Sequence, residues 1–347
     1  TECTEPAPIP PPLTPRGRTS GAWSLENTIL GESSEMQRVR DQVRSVARFN
    51  DISVLILGET GTGKELVAEA IHHLSCPEQP NIAINCAAIP EPLFESELFG
   101  HTAGAFTGAR SSRAGLLEEA AGGTVLLDEV GELPPHLQPK LLRVLETKRF
   151  RRLGGASDLD FRGRVISATN RALDEELTML RSDLYFRLAG FTIVTPPLRD
   201  RPADIGVLVA RFLASFSERY PGAPTKLALS AAELLRAYDW PGNVRELRSV
   251  VEHAAMLSRG PIIDATDVKT ALRERSQSTA AQLKRQSGDY PRSETVSVPP
   301  SGTLRDLERQ AILEAFEASD GNLSLAARKL GIPRSTLRDK LKRYRVR

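Results

Sequence analysis

Apolar residues follow two different spacings along the first half of this chain. Between residues 34 and 48 they recur every three or four positions, at Met36, Val39, Val43 and Val46, which predicts an amphipathic helix. Short runs that are apolar throughout come next, in SVLILG (53–58), IAIN (82–85), TVLLDE (124–129) and VISATN (165–170). Helices are predicted between these runs, over 64–74 and from Pro134 to about Glu146. Apolar strands that alternate with helices indicate a parallel sheet covered by helices on both faces, an α/β fold.

The pattern changes after PPLRDRP (196–202). Only helical spacing remains, over 203–219, 230–238 and 243–258, so a small all-helical domain without further β-runs is predicted. Two stretches rich in Pro, Ser, Gln or Thr lack large apolar residues and are predicted to be flexible linkers. The predicted order is a linker over 1–27, an α/β domain over 28–200, a helical domain over 201–273, a linker over 274–302 and a C-terminal helical unit over 303–347.

The charge of the chain is uneven. In total 46 Lys and Arg stand against 44 Asp and Glu, but residues 323–347 contain nine basic residues and one acidic residue, Asp339. This favours a polyanionic partner, with nucleic acid preferred over an anionic membrane, although a solvated basic face has the same composition.

The cysteines and histidines do not predict a disulfide or a metal cluster. The three cysteines include no CxxC pair, and the five histidines are not spaced as the ligands of a metal ion usually are. The apolar runs are too short to cross a bilayer, so we expect a cytoplasmic protein that does not contact membranes. Because the chain begins with Thr1, we expect a fragment or a processed chain.

A glycine-rich turn lies between the first predicted strand and the helix that follows. It comprises Gly58, Glu59, Thr60, Gly61, Thr62, Gly63 and Lys64. Glycines let backbone N–H groups face phosphate oxygens, the helix N-terminus favours negative charge, and the lysine supplies a positive charge, so the turn predicts an ATP-binding P-loop. Glu65 stands where the general motif has Ser or Thr, so the usual hydroxyl ligand of Mg²⁺ is missing.

The strand TVLLDE ends in two carboxylates, which is typical of a Walker B element. In such an element Asp128 would hold Mg²⁺ through water, and Glu129 would orient and polarise the attacking water. The alternative is an acidic strand end that faces solvent, and the nearby P-loop makes it less favoured. Asn85, which ends the preceding strand, is either a turn residue or a residue that holds Glu129 inactive until nucleotide or a partner arrives.

Arg181 and Arg187, in RSDLYFR, are six residues apart and so point about 240° apart around a helix. They would therefore not lie on a single solvent-exposed stripe of that helix. One hypothesis is that one or both reach the γ-phosphate held by a neighbouring subunit, as arginine fingers that stabilise transition-state charge in trans. Arginines on a solvated helix surface are the alternative.

The segment ELFGHTAGAFTGA (97–109) consists largely of Ala, Gly and Thr around Phe106. Small residues bury little area and glycine lowers backbone order, so a mobile loop is predicted. Together, GETGTGKE (58–65) and ESELFGHTAGAFTGA (95–109) closely resemble the bacterial sigma-54-dependent transcription activators, or enhancer-binding proteins, of the AAA+ ATPase superfamily. The resemblance covers residues 28–347, and Glu65 matches that family's own P-loop.

This resemblance implies roles for further residues. The family's GAFTGA loop touches the sigma factor bound to RNA polymerase, and here that loop is Gly104, Ala105, Phe106, Thr107, Gly108 and Ala109. Thr169 and Asn170 would form the sensor I element, and Arg245 in WPGNVRE would be the sensor II arginine on a helical lid. The resemblance also places Arg181 and Arg187 at the finger positions and makes Asn85 the partner of the Walker B glutamate.

The C-terminal unit resembles a Fis-type helix-turn-helix. Residues 322–344 give a helix, a turn at Gly331 and a second helix opened by Pro333, which would enter the major groove of double-stranded DNA. Candidates for base or phosphate contact are Arg334, Ser335, Thr336, Arg338 and Lys340. Leu337 and Leu341 are expected to face the core. The alternative is a basic amphipathic helix without a groove role, and helix 303–318 is expected to pair two chains.

The resemblance implies an ATP-hydrolysing ring, a hexamer, that uses ATP and Mg²⁺. It would bind upstream DNA and remodel the closed promoter complex of sigma-54 RNA polymerase holoenzyme into the open one. The alternative is a nucleotide-gated DNA-binding repressor without motor activity, which a defective GAFTGA loop would favour, and this loop is intact. Protein-unfolding or clamp-loading relatives form a third class, disfavoured because they do not generally need a helix-turn-helix.

Overall fold

The computed structural model describes residues 23–170, 180–286 and 334–343, together with single positions between 312 and 327. The chain divides into two compact units, Thr1–Ser278 and Thr279–Arg347. The described helices are α1 (Leu25–Thr28), α2 (Ser34–Val46), α3 (Lys64–Ser75), α4 (Glu91–Phe99), α5 (Leu116–Glu119), α6 (Gln138–Thr147), α7 (Ser182–Leu188), α8 (Asp204–Arg219), α9 (Leu229–Ala237), α10 (Asn243–Leu257), α11 (Ala265–Gln286) and α12 (Arg334–Arg343). The described strands are β1 (Val54–Leu57), β2 (Asn81–Asn85), β3 (Gly100–His101), β4 (Arg113–Ala114), β5 (Thr124–Asp128), β6 (Arg149–Phe150), β7 (Leu159–Asp160), β8 (Arg164–Thr169), β9 (Phe191–Val194), β10 (Lys226–Leu227) and β11 (Ile262–Ile263).

A five-stranded parallel sheet in the order β2-β5-β8-β1-β9 forms the centre of the first unit. The four predicted strands all lie in this sheet. The apolar pattern did not indicate β9, a four-residue edge strand in which Thr192 interrupts the apolar run and Val194 is exposed.

Side chains that alternate along the central strands fill two cores, one on each face of the sheet. Leu55 packs in the core that α4, α6 and α7 complete. Val54 and Ile56 pack in the core that α2 and α3 complete. The predicted helix over 34–48 is α2, and its expected apolar residues Met36, Val39, Val43 and Val46 are all buried. These cores confirm the predicted α/β fold with helices on both faces.

The helices α8–α11 enclose a third core around Trp240, which is fully buried and donates its indole N–H to the Leu235 carbonyl at 2.8 Å. The expectation of no further β-run was wrong, because β10 and β11 pair in parallel over two residues each. Such short pairs lack a pattern that sequence periodicity detects.

Two predicted linkers overlap helices in the structure. The linker predicted over 274–302 begins inside α11, which continues to Gln286. Ala, Gln, Lys and Arg dominate the last eight residues of this helix, and their high helix propensity outweighs the neighbouring serines. The linker predicted over 1–27 includes the start of α1, where Leu25 is buried against the sheet.

In the second unit, α12 packs its apolar face into a small core. Leu337 and Leu341 are buried, as predicted, with Ile312, Ala326 and Ala327. The predicted turn at Gly331, the Pro333 start and most of helix 303–318 lie outside the described residues. Across both units, none of the described helices has the length and apolar content needed to cross a bilayer.

Candidate functional site

The glycine-rich turn joins β1 to α3 at the carboxyl edge of the sheet. Gly61 and Gly63 have φ angles of +81° and +103°, a left-handed region that glycine adopts without steric cost. A Cβ on Gly61 would also lie 2.4 Å from the Gly242 carbonyl oxygen, so the turn tolerates no side chain there. Lys64, the first residue of α3, donates from Nζ to the carbonyls of Gly58 (2.8 Å) and Glu59 (3.1 Å). Its ammonium therefore lies inside the curve of the turn.

Charged groups converge on the Lys64 ammonium. Burial lowers the pKa of Lys64, and the carboxylates of Asp128 and Glu129 oppose that shift. The Arg245 guanidinium lowers the same pKa further. The two cations and the first turn of the helix favour an anion, and the two carboxylates beside them favour a cation. The structure thus brings together the turn, both Walker B carboxylates and the sensor II candidate.

The two Walker B carboxylates occupy different positions. Asp128 ends β5, and its Oδ1 accepts the backbone N–H of Glu129 at 3.0 Å. Glu129 adopts a left-handed φ of 53°, which turns its side chain away from the direction of the strand. It lines a cavity of about 140 Å³ with Thr169 and Asn170. The sensor I candidates and the water-activating candidate therefore share one cavity.

Asn85 lies beside Asp128, its partner in the β2–β5 register. Its Oδ1 accepts the backbone N–H groups of Ala87 (2.9 Å) and Ala88 (3.2 Å), so it serves as a turn residue here. Within residues 23–170, no hydrogen bond joins Asn85 to Glu129. Control of Glu129 by Asn85 stays a prediction.

Cys86 follows Asn85 but is not a nucleophile. Burial, with Asp128 and Glu129 nearby, raises the pKa of its thiol to about 12. The thiol is therefore protonated at neutral pH.

One of the two sensor I candidates contacts the glycine-rich turn directly. Asn170 donates from Nδ2 to the Thr60 Oγ1 at 3.0 Å, whereas Thr169 is buried at the end of β8.

The lid docks on the turn through the start of α10. The N–H groups of Val244 and Arg245 lie 3.0 and 3.4 Å from the Gly61 carbonyl oxygen. Asn243 donates to Glu59 Oε2 at 3.0 Å, and Arg199 holds the same carboxylate. The sequence pattern did not indicate Asn243 or Arg199. Asn243 lies in WPGNVRE, the segment in which only Arg245 was predicted to act.

An apolar cavity of about 90 Å³ adjoins the turn and was also missed. It is lined by residues of the segment before α2, the turn, α3, α8 and α10, including Leu30, Thr62, Leu66, Leu208 and Val244. Because these residues come from separate parts of the chain, no local motif signals the cavity.

Of the predicted finger arginines, Arg181 directly precedes α7 and Arg187 lies in the last turn of that helix. Arg181 forms a two-pronged ion pair with Asp183, at 3.1 and 2.8 Å. Arg187 donates to the Leu145 carbonyl at 3.0 Å. Within the described ranges, neither guanidinium is bonded to the glycine-rich turn of its own chain.

The GAFTGA segment forms the end of a β-hairpin between β3 and β4. The N–H of Gly104 donates to the Ala109 carbonyl at 2.8 Å, and glycines with φ of +81° and +107° occupy positions 104 and 108. Phe106 is 44% exposed, and its ring packs edge-on against His101 with 5.1 Å between centroids. The aromatic side chain is thus presented at the surface with one supporting neighbour. The predicted mobility of this loop stays a prediction.

On α12 the candidate DNA contacts differ in exposure. Arg338 is exposed, whereas Thr336 and Lys340 are partly buried. The side chains of Arg334 and Ser335 lie outside the described set.

Three family models match consecutive parts of the chain. They are described as the Sigma-54 interaction domain (residues 29–194), the AAA+ ATPase lid domain (199–285) and Bacterial regulatory protein, Fis family (303–344).

Curated relatives match over most of this chain. The regulatory protein AtoC of Escherichia coli is 40% identical over 331 residues, which cover 94% of this chain and 69% of AtoC. The Nif-specific regulatory protein of Azotobacter vinelandii is 43% identical over 321 residues, which cover 91% of this chain and 59% of the relative. The chain thus spans about half to two thirds of the length of the relatives it matches.

Solved structures of Brucella abortus NtrX have the same fold. The ATP complex aligns with a TM-score of 0.63 and 32% identity, over 91% of this chain and 69% of NtrX. The ADP complex aligns with the same TM-score and identity, over 91% and 70%.

Proposed function

Because this chain belongs to the family of bacterial sigma-54-dependent transcription activators, we propose that it hydrolyses ATP to activate sigma-54 RNA polymerase at promoters. One structural feature carries the proposal. The segment from Asn85 through α4 to β3 leads directly from the edge of the Walker B strand to the GAFTGA hairpin. A helix of nine residues is about 13 Å long and transmits a displacement at one end to the other.

The residues around the turn fit a nucleoside triphosphate. Lys64 and the N–H groups at the start of α3 would hold the β- and γ-phosphates, and Arg245 would neutralise further phosphate charge. The apolar cavity beside Thr62 would take the base. Glu129, in the cavity with Asn170, would orient and polarise the attacking water.

The carboxylates fit Mg²⁺ held mainly by phosphates and water. Mg²⁺ commonly binds proteins through one or two carboxylates plus substrate oxygens, and Asp128 at the end of β5 supplies such a carboxylate. When bound, the ion would neutralise charge on the phosphates. The missing hydroxyl at Glu65 is consistent with few direct protein ligands.

Hydrolysis in a ring would place α7 of one subunit against the nucleotide of the next. Arg181 and Arg187 are bonded within their own chain to Asp183 and to the Leu145 carbonyl, so each would exchange that bond for phosphate in the assembled ring. We propose a hexameric ring, in which ATP hydrolysis depends on assembly.

Phe106 would provide the main contact with sigma-54, together with Thr107. The aromatic ring offers a compact apolar surface, and because it is exposed and belongs to none of the described cores, it could leave His101 without disrupting a core. Nucleotide-dependent movement of the hairpin would then push on the polymerase and open the promoter complex.

The C-terminal unit would hold the protein on upstream double-stranded DNA in the cytoplasm. Its helix α12 exposes Arg338 while Leu337 and Leu341 hold an adjacent face of the helix in the core. This is the arrangement that a major-groove recognition helix requires. Dimeric binding through the second unit would match two half-sites.

In vitro transcription with sigma-54 polymerase tests this proposal. The protein should support open-complex formation with ATP and not with a non-hydrolysable analogue. Phe106→Ala should abolish activation while ATP hydrolysis continues. Phe49 is another exposed phenylalanine, at 54%, and Phe49→Ala should leave both activation and hydrolysis intact. Full activation by Phe106→Ala would refute the proposal, and ATP-dependent repression would indicate a nucleotide-gated repressor.

A further inference from the structure

Asp204, the first residue of α8, is completely buried and bonded to the segment that precedes α2. Its Oδ1 accepts the backbone N–H groups of Glu32 at 2.7 Å and Ser33 at 2.8 Å. Its Oδ2 accepts the Ser33 hydroxyl at 2.7 Å. Three short bonds to a carboxylate make a strong, directional attachment between two elements far apart in sequence.

The opposite side of this segment is held by Arg40 of α2. Its Nη1 donates to the carbonyls of Ile29 at 3.0 Å and Gly31 at 2.7 Å. Gly31 has a φ of +136°, and a Cβ there would lie 2.6 Å from Asp204 Oδ2. The segment is therefore fixed between α2 and α8 with no space for another side chain.

Asp204 also faces a buried arginine that reaches the glycine-rich turn. Arg201 is 2% exposed, and its Nη1 lies 4.0 Å from Asp204 Oδ2. Its Nη2 donates to the Thr62 carbonyl at 3.2 Å. Burial lowers the pKa of Arg201, and the Asp204 carboxylate opposes that shift. Neutralisation by Asp204 thus stabilises a cation beneath the turn.

The elements joined by Asp204 are walls of the apolar cavity of about 90 Å³. Leu30 comes from the fixed segment, and Leu208 lies one helical turn after Asp204 on α8. Thr62 comes from the turn. The bonds of Asp204 connect the segment that carries Leu30 to the helix that carries Leu208, so they contribute to the separation of these two side chains.

We propose that Asp204 is a positioning residue for the nucleotide base: by binding Ser33 and Glu32 it sets the width of the apolar cavity that receives a purine. This inference rests on the proposed ATP-binding function. On this proposal the carboxylate acts on the base through Leu30 and Leu208, while its ion pair with Arg201 acts separately on the glycine-rich turn. Loss of the bonds to Ser33 and Glu32 alone should therefore weaken binding of the base and leave binding of phosphates unchanged.

Binding of ADP and of pyrophosphate, measured by titration calorimetry on the whole chain, separates these effects. Ser33→Ala removes one of the three bonds and also the side-chain cap on the Met36 N–H of α2, and Asp204→Asn weakens the acceptor and its ion pair with Arg201. We expect the Kd for ADP to rise about threefold in Ser33→Ala and about tenfold in Asp204→Asn, because hydrogen bonds to a charged group are stronger than neutral ones. In Ser33→Ala, which leaves the ion pair intact, the Kd for pyrophosphate should stay within a factor of about two of the unchanged protein.

Arg164→Lys provides a matched control. Arg164 is another buried arginine, 3% exposed, and it donates to the carbonyls of Ile52 and Val46 at the amino end of the sheet. This variant should lose thermal stability without a change in the ratio of the two Kd values.

The outcomes distinguish the inference from the proposed function. Failure of the unchanged protein to bind ADP would refute ATP binding itself. If the unchanged protein binds ADP but Ser33→Ala has the same ratio of the Kd for ADP to the Kd for pyrophosphate, the positioning role is refuted. Equal weakening of ADP and pyrophosphate binding in Ser33→Ala leaves that ratio unchanged and refutes the role too. Should Asp204→Asn fail to fold, Ser33→Ala, which leaves the ion pair intact, decides the question.

Discussion

The amide nitrogen of Asn243, at the first residue of the lid helix α10, lies 3.0 Å from Glu59 Oε2 in the glycine-rich turn. These two residues are 184 positions apart. The same amide group donates to the Thr60 carbonyl at 3.1 Å, and its Oδ1 accepts the N–H of Leu198 at 2.8 Å. One fully buried side chain therefore joins the turn, the start of the lid and the segment that leads into it.

Replacement of Asn243 should separate the lid from the turn. Asn243→Ala leaves buried polar groups without partners, which costs about 1–3 kcal/mol in the free energy of unfolding. The residue also has a left-handed φ of 50°, which asparagine tolerates better than alanine. Chemical denaturation measures the loss, and the Kd for ADP should rise in parallel.

Asp239→Ala changes a residue in the same loop and serves as the control. Within residues 180–286 the exposed Asp239 side chain makes no hydrogen bond. The stability of Asp239→Ala should therefore match that of the unchanged protein. Equal stability of Asn243→Ala and the unchanged protein would contradict a joining role.

Nucleotide binding should be accompanied by proton uptake at alkaline pH. Burial lowers the pKa of Lys64 below its ordinary value of 10.5, and bound phosphate would raise it again. The free protein therefore loses the ammonium proton as pH rises toward 10.5, and binding restores it. Titration of ADP at pH 9 in two buffers with different ionisation enthalpies should give different apparent binding enthalpies.

Lys148 supplies the control for this measurement. It is a second half-buried lysine, and burial lowers its pKa as well. Lys148→Gln should retain the uptake, because Lys148 stands over the Phe161 ring and lines none of the cavities beside the glycine-rich turn. Identical apparent enthalpies in both buffers would mean that Lys64 does not titrate on binding.

Local sequence patterns were sufficient for the central sheet and the glycine-rich turn. The strand that ends at Leu57 and the helix that begins at Lys64 each have a clear pattern of apolar residues, and the glycines and lysine between them form the predicted P-loop. Burial of Leu337 and Leu341 followed from their spacing of four.

Contacts between distant segments were not predictable in this way. The bond between Asn243 and Glu59 and the cavity between Leu30 and Leu208 exist only after the lid docks, so no spacing in the chain encodes them. The edge strand β9 was missed because it is short and Thr192 interrupts its apolar run. Sequence thus identified residues that belong to local motifs, and the structure added residues such as Arg199 and Asp204, whose partners lie far away in the chain.

Mixed assemblies should reveal whether two chains share each site. Glu129→Gln removes the water-polarising carboxylate, and Arg187→Ala removes a finger candidate, so each variant alone should hydrolyse ATP poorly. In an equal mixture about a quarter of interfaces pair an intact Glu129 with an intact Arg187 from the neighbouring chain. ATP hydrolysis by the mixture should exceed that of either variant.

Arg181→Ala in place of Arg187→Ala identifies which arginine acts in trans. Arg181 is bonded to Asp183 in the same chain, so its replacement also tests whether that ion pair is needed before assembly. Strictly additive loss of hydrolysis in every mixture would contradict shared sites.

Neighbouring residues on α12 should have opposite effects on DNA binding and stability. Arg338 is exposed, so Arg338→Ala should weaken DNA binding with little change in stability. If Arg338 contacts a phosphate, the slope of log Kd against log salt concentration should fall by about one. Leu337 is completely buried, so Leu337→Ala should destabilise the second unit by about 2–5 kcal/mol. Fluorescence anisotropy over a range of salt concentrations and thermal denaturation measure the two effects. Unchanged DNA affinity in Arg338→Ala would mean that the exposed face of α12 is a solvated surface without a role in the groove.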